Sequence, residues 1–431
     1  MDDSYLIRTQ TPIDRLSDDL LISILSRFSM TEAARTSVLA RRWRYFWTNN
    51  RVLDFDAVRV LSQIEERDTT LHNERIRFVK WVNKVAMLHS YSTIDEFRIS
   101  FDLDEGFDDH LDRWIQFAFR KRVKKLELNL VKSHHTHTQH KQYSFPNMSH
   151  GVSSIESLVT LILTNVDVTE EVLIFFVSNC PFLEELCVKG SNCLENLRTS
   201  RPAIRLRRLE IVDCRGFRSL KICSPNLISY TFHGTNIPMV LKNVASLVSL
   251  SLGAKFHGEL ILNMNKISRC LSQLETLTLR VSEFQGRGVI LPIYPHLPRL
   301  KKLVIDICTI GFETSLLGFT RLINAAPSLR EILLKITCSQ PLFLATIPHY
   351  QGPMHQSLEV LQIEGFAGAK VDLELALYIV EHAVSLKKVV IDFRRPTGGE
   401  QCVEMEMEMA RKGILLLEAK LPEGAELIIH E

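Results

Sequence analysis

Residues 274–279 read Leu-Glu-Thr-Leu-Thr-Leu, and this short pattern decides how the rest of the chain is read. Apolar residues at its first, fourth and sixth places recur along the sequence. Before it come Val123/Leu126/Leu128, Leu158/Leu161/Leu163, Leu183/Leu186/Val188, Leu206/Leu209/Ile211, Leu227/Tyr230/Phe232 and Leu247/Leu250/Leu252. After it come Leu300/Leu303/Ile305, Leu329/Ile332/Leu334, Leu358/Leu361/Ile363 and Leu386/Val389/Ile391. Successive units start 20 to 35 residues apart. Ile94/Phe97/Ile99 reads as an earlier, degenerate unit.

Most of these spacings are those of leucine-rich repeats. In a strand, alternate side chains face opposite ways, so the fourth and sixth places of each unit point into the core. One short strand cannot bury that face alone. Parallel stacking of successive strands makes the core continuous, with helices or loops on the outer side. The expected fold class is therefore α/β, with a solenoid whose parallel strands line the concave face. Thr169 is placed to cap a helix over Glu170 to Ser178, and Leu316 to Ala326 and Leu373 to Ala383 have helical spacing. Between Leu206 and Leu227 the linkers are too short for helices, so strand and turn are expected there, with Pro225 in a turn. Ile76 to Leu88 carries Phe78, Val79, Val82, Val85 and Ala86 on one helical face. With a helix near Leu111 to Arg120, it is expected to cap the array. Outward strand positions include Lys189, Arg208, His233, Arg280, Asp306 and Lys335, the candidates for contact with a partner.

The N-terminal stretch, residues 12–48, has a different character. Ser17 can cap a helix whose positive end suits Asp18 and Asp19. Leu20, Leu21, Ile24, Leu25 and Phe28 follow at helical spacing. Thr31 can cap a second short helix, Glu32 to Val38, and a third stretch runs from Leu39 to Trp47. So small a unit cannot bury all this apolar surface by itself. The excess calls for cover from another chain or from the next domain.

Leu16-Ser-Asp-Asp-Leu20-Leu21, Ile24-Leu25, Val38-Leu39 and Arg42-Trp43-Arg44 closely resemble the F-box, a three-helix motif. The run Ala34 to Arg44 is similar to plant F-box proteins. Family members usually have proline where this chain has Ser17. The resemblance implies that Leu16, Leu20, Leu21, Ile24, Leu25, Val38, Leu39, Arg42 and Trp43 dock on a Skp-type adaptor. That adaptor tethers the chain to a cullin–RING ubiquitin ligase, and the repeats bind a protein substrate for ubiquitination. From about residue 345 the chain resembles the FBD segment of plant F-box proteins, through Ser357 to Gly365, Val380 to Ala383 and Leu421 to Ile429. The expected division is an F-box in residues 1–50, linker and helical cap in 51–122, leucine-rich repeats in 123–344, and FBD-like repeats with a cap in 345–431. A repeat scaffold that never joins a ligase is the alternative.

Composition narrows the remaining classes. With 45% hydrophobic and 24% charged residues the chain is globular. A net charge of +2 gives no bulk attraction to nucleic acid or an acidic membrane. The longest apolar runs, such as Val172 to Val177, are too short to span a bilayer, and no signal peptide is read in the acidic, polar start. The nine cysteines include no CxxC, so zinc-ribbon ligands are missing; most are expected to be reduced core residues of a cytoplasmic or nuclear protein. His134, His135, His137 and His140 cluster without a cysteine or fixed carboxylate and read as a solvated loop. Arg120 to Lys125 reads as a strand edge, and the glutamates at 400, 404, 406 and 408 as a solvated face. Walker, GxSxG, HExxH and Rossmann patterns are absent. The expectation is a non-catalytic chain with no cofactor and no metal.

Overall fold

Alternating apolar residues make the strands, and their stacking makes the fold. The computed structural model describes residues 16–25, 28, 32, 48–61, 68–131, 141–147, 155–199, 202–203, 205–283, 296–308, 315–337, 352–393 and 403–430. The chain divides into two compact units, residues 1–191 and 192–431.

The first unit starts with helix α1 (Asp18–Leu25), strand β1 (Val52–Asp56) and the short helix α2 (Val58–Leu61). Helix α3 (Asp68–Leu88), β2 (Glu96–Ser100), α4 (Asp108–Arg120), β3 (Lys125–Asn129), β4 (Thr160–Thr164), α5 (Glu170–Asn179) and β5 (Glu185–Lys189) follow. The five strands lie in sequence order, all parallel. Leu53, Phe97, Leu126, Leu161 and Leu186 share one register row, Phe55, Ile99, Leu128, Leu163 and Val188 another. All ten are buried, so the fourth and sixth repeat positions face the core as their spacing predicts.

The helices close that core from the other side. Phe78, Val79, Val82 and Val85 of α3 are buried, while Ala86 is half-buried. Phe78 stacks on Phe101 at 4.7 Å, and the Trp114 indole N–H donates to Asn83 Oδ1 at 2.8 Å. Helix α3 begins eight residues before the expected Ile76. Its first turns are mostly polar, and besides Leu71 they bury a cation: Arg75 donates to the Asp102 carboxylate at 2.6 Å and also meets Asp104. Apolar periodicity does not register a buried Arg held by two carboxylates. Residues 51–122, expected as linker and helical cap, also carry two repeat strands. Ile94/Phe97/Ile99 forms β2 as expected; β1, through Leu53 and Phe55, was not anticipated, because two apolar residues leave too short a pattern.

The second unit contains β6 (Asn196–Arg198), β7 (Arg208–Val212), β8 (Ser219–Cys223), β9 (Ser229–His233), β10 (Met239–Lys242) and β11 (Ser249–Phe256). Helix α6 (His257–Lys266), β12 (Thr276–Glu283), β13 (Lys302–Ile307), α7 (Thr320–Asn324) and β14 (Glu331–Ile336) come next. The unit closes with β15 (Val360–Glu364), α8 (Lys370–His382), β16 (Lys388–Asp392), α9 (Val403–Glu418) and β17 (Glu426–His430). Strands β7, β9 and β11 to β17 form one parallel series, while β6, β8 and β10 form a separate three-stranded sheet. That second sheet is the structural answer to the short repeats. A segment of about ten residues crosses more distance extended, at about 3.3 Å per residue, than as a helix at about 1.5 Å. Pro225 sits in a turn there, as expected.

Longer linkers hold helices. Leu316–Phe319 is a 3₁₀ turn that leads into α7, a tighter start than the single helix expected. Thr169 occupies the N-cap position of α5 with extended backbone, but its side chain accepts no cap hydrogen bond. The FBD-like region contributes β15, β16 and β17 to the same series, with α8 and α9 between them. Buried Asp372 accepts hydrogen bonds from the Ala367, Gly368 and Leu373 N–H groups at 2.8, 3.1 and 3.0 Å, pinning the loop that enters α8. Gly368 (φ +70°) makes that turn, with backbone of Met409 where a Cβ would go.

Candidate functional site

Helix α1 is short and strongly apolar, and its two faces differ. The Ser17 hydroxyl accepts from the Leu20 N–H at 3.4 Å, and the Ser17 carbonyl accepts from Leu21 N–H at 3.0 Å. The serine in the place of the family's usual proline thus caps the helix. Leu21 is fully buried, whereas Leu20 is 53%, Ile24 36% and Phe28 46% exposed. Leu20 and Ile24, one turn apart on α1, form an apolar stripe open to solvent, and Phe28, beyond the end of the helix, is exposed as well. Leu21, expected at the adaptor contact, is instead buried in the chain's own core, about 100° round the helix from Leu20. Leu16 is half-buried. Leu25 ends the helix. Val38, Leu39, Arg42 and Trp43 lie outside the described residues.

The outward strand positions form rows. In the second unit His233, Gly253, Arg280, Asp306, Lys335, Glu364, Asp392 and His430 share one register row. Four of the expected contact residues, His233, Arg280, Asp306 and Lys335, are therefore gathered along one edge of the strand face. Arg208 is not with them: it opens β7 and shares its row with Ser229, Ser249, Thr276, Lys302 and Glu331. It stands four residues away along the strand, since any even spacing along a strand keeps a residue on the same face without putting it in the same row. Lys189 closes β5 in the first unit, in register with Thr164.

This face is charged, but its charges are answered internally. Arg280 Nε lies 3.4 Å from Asp306, Lys335 Nζ 2.7 Å from Glu364, and Lys302 Nζ 2.6 Å from Glu331. Each pair links neighbouring strands, and at this exposure each contributes less than about 1 kcal/mol. The His233 ring lies against Gly253, where an added Cβ would come within 2.6 Å of the imidazole, and its Nε2 is 3.2 Å from Ser251 Oγ. Burial, and then the Arg280 charge, hold its pKa below the usual histidine value. In the first unit Arg98 is the hub: it reaches Asp54, Asp56 and Glu127 at 3.2, 2.9 and 3.0 Å. Burial raises the Asp54 pKa despite the opposing Arg98 charge. Sequence reading passed over this network because β1 was not recognised as a repeat strand.

No group of His, Cys, Asp or Glu is set to hold a metal ion among the described residues. The four clustered histidines lie outside the described residues. Of the seven described thiols only Cys180 and Cys187 are buried; most of the others are half-exposed, fewer in the core than expected. Burial pushes the Cys180 thiol up to about 12, which makes it inert. Lys124 and Lys125 lie beside buried Val123 and pair with Asp95 and Glu96 at 2.8 Å each, a solvated strand edge as expected. No helix among the described residues is long and apolar enough to cross a membrane.

Known proteins share this organisation. The F-box domain model matches residues 13–55, and the model described as "At1g61320/AtMIF1, LRR domain" matches residues 147–423. The chain is 25% identical over 420 residues to the F-box/FBD/LRR-repeat protein At1g13570 of Arabidopsis thaliana, covering 88% of this chain and 90% of that one. It is 26% identical over 360 residues to the F-box/LRR-repeat protein At5g02910 of the same plant, covering 76% and 72%. It is 21% identical over 441 residues to the FBD-associated F-box protein At5g56370, covering 96% and 97%. An F-box at one end, repeat strands through the rest and relatives aligned along most of their length agree: the chain belongs to the plant-type F-box/leucine-rich-repeat/FBD family.

Proposed function

We propose that this chain is the substrate-recognition subunit of a Skp–cullin–F-box ubiquitin ligase. One observation carries the reading: Leu20 and Ile24 of α1, and Phe28 beyond its end, stay open to solvent inside the segment that the F-box model matches. A monomer gains nothing by exposing three large apolar side chains together, whereas buried aliphatic and aromatic anchors dominate protein interfaces. A Skp-type adaptor is the occupant, with Leu16, Leu25, Val38, Leu39, Arg42 and Trp43 completing the contact. The adaptor tethers the chain to a cullin and its RING subunit. The repeats hold a protein substrate, and the chain supplies no reacting group; it raises the concentration of substrate near the charged conjugating enzyme. Work in the cytoplasm, the nucleus or both follows from this reading, and imaging of a fluorescent fusion checks it.

Co-purification with a Skp-type adaptor, followed by reconstituted ubiquitination of captured proteins, tests the proposal. Full-length chain should pull down the adaptor, and residues 51–431 alone should not. A chain that captures partners through the repeats but ignores the adaptor would instead be a ligase-independent scaffold.

A further inference from the structure

Charge is spread unevenly along the repeats. Residues 195–242 hold nine Lys and Arg against three Asp and Glu, in a chain whose totals are 52 and 50. The rest of the chain is therefore net acidic, 43 against 47. The basic segment contains the three-stranded sheet β6-β8-β10. Leu197, Leu220, Ile222 and Met239 are buried on one of its faces, while Arg198, Lys221, Val240 and Lys242 are exposed on the other. Register sets Arg198 beside Lys221 and Lys221 beside Val240. The Arg198 guanidinium is laid along the sheet by Ser219 Oγ, 2.9 Å from Nε, and Asn196 Oδ1, 3.3 Å from Nη2.

More cations stand at both ends of this sheet. The Ala203 N–H donates to the Cys223 carbonyl at 2.8 Å, bringing exposed Arg205 to the end where the strands finish. The Arg218 N–H donates to the Glu195 carbonyl at 2.6 Å, setting Arg218 and Arg215 where they begin. On the strand face of this unit several cations are answered by acids on neighbouring strands, as in Lys302–Glu331 and Lys335–Glu364. Here Arg205, Arg215, Lys221 and Lys242 have no acidic partner among the described residues, and Arg218 meets Glu195 at 3.6 Å with both well exposed. Like charges crowded without answer oppose folding, so this arrangement is a cost that an anionic partner would remove.

We propose that the outer face of this three-stranded sheet docks an acidic segment of a protein partner. The segment would be extended, with carboxylates for Arg205, Lys221 and Lys242 and an apolar side chain for Val240, which stands exposed among the lysines. Nucleic acid fits less well. Phe217, Tyr230 and Phe232 are all buried, so no aromatic face of these residues is open for stacking bases. The proposal rests on the reading of the repeats as the partner-binding part of the chain and assigns a chemistry to the partner.

Fluorescence anisotropy on the full-length chain tests it with three labelled probes: a glutamate-rich peptide with one central leucine, its glutamine counterpart, and a single-stranded oligonucleotide of equal charge. The glutamate peptide should bind, weaken as salt rises, and exceed both other probes. Arg205→Glu/Lys221→Glu/Lys242→Glu should lower its affinity roughly tenfold or more, since each reversal exchanges attraction for repulsion. Lys302→Glu, which alters a cation already paired with Glu331, should leave it nearly unchanged. Should the triple variant fail to fold, Lys221→Gln/Lys242→Gln carries the same test. No binding of the glutamate peptide, equal binding by a folded variant, or tighter binding of the oligonucleotide would overturn the proposal. Adaptor pull-down in parallel separates the two readings: its loss in the unaltered chain counts against the ligase role, not against the acidic docking surface.

Discussion

Leu20 and Leu21 are adjacent on one helix and opposite in burial: Leu20 is 53% exposed and Leu21 fully buried. Their substitutions should therefore separate binding from stability. Leu20→Ala with Ile24→Ala should abolish capture of the Skp-type adaptor in a pull-down and leave the unfolding midpoint nearly unchanged. Leu21→Ala should instead destabilise the N-terminal unit by about 2–5 kcal/mol in urea denaturation. Normal adaptor capture by a folded Leu20/Ile24 variant would reject the F-box contact.

The repeat register makes a similar contrast at neighbouring positions. Leu277 is fully buried and Thr278 half-exposed on the opposite face. Leu277→Asp buries a carboxylate with no partner and should unfold the adjoining repeats, a loss of several kcal/mol. Thr278→Asp should cost less than about 1 kcal/mol. Thermal unfolding monitored by circular dichroism distinguishes them.

Gly253 and His233 form a testable pair on the strand face. Gly253→Ala puts a methyl against the imidazole and should destabilise the second unit by about 1–3 kcal/mol. His233→Ala should relieve most of that loss in the double variant, giving a clear coupling energy in a double-mutant cycle. Additive losses would mean that the ring is not what the methyl meets.

Asp372 links stability to pH. Burial raises its pKa to about 6 against its three backbone donors, well above the ordinary carboxylate value of 3.8. The folded state therefore holds the proton more tightly than the unfolded chain does. This group's favourable contribution is full below about pH 3.8, and it is lost as pH rises through about 6. Asp372→Asn removes the titration, so the difference in stability between variant and parent should shift in the variant's favour from pH 4 to pH 7, by up to roughly 3 kcal/mol. Denaturation curves at both pH values measure it, and a difference independent of pH would refute the assignment.

Charge reversal on the strand face separates reading from tethering. Arg280→Glu and Lys335→Glu each break a cross-strand pair that is partly exposed, so each should cost less than about 1 kcal/mol. Adaptor capture should be unaffected, while capture of a substrate that uses this row should weaken. Arg208→Glu tests a different row and is best made alone. Affinity purification with each variant reports both quantities.

The sequence by itself determined the register of the repeat strands. Period-two alternation decides which residues of a strand face the core, and a spacing of about 20–29 residues decides that the strands stack in parallel. It also determined the α1 stripe and the absence of a recognised catalytic motif. Tertiary structure decided the rest. It brought Arg75 into the core beside Asp102 and Asp104, which no apolar periodicity signals. It turned the short linkers near 195–242 into a second sheet, because an extended chain spans the repeat with fewer residues. It put Leu21 of α1 in the core and left Leu20 at the surface, since a helix period assigns residues to faces but not a face to the protein interior. It also gathered Arg280 with Asp306 and Lys335 with Glu364, separating both from Arg208. Local pattern sets which way a side chain points; which charges become neighbours depends on contacts between residues tens of positions apart, and only the packed fold supplies them.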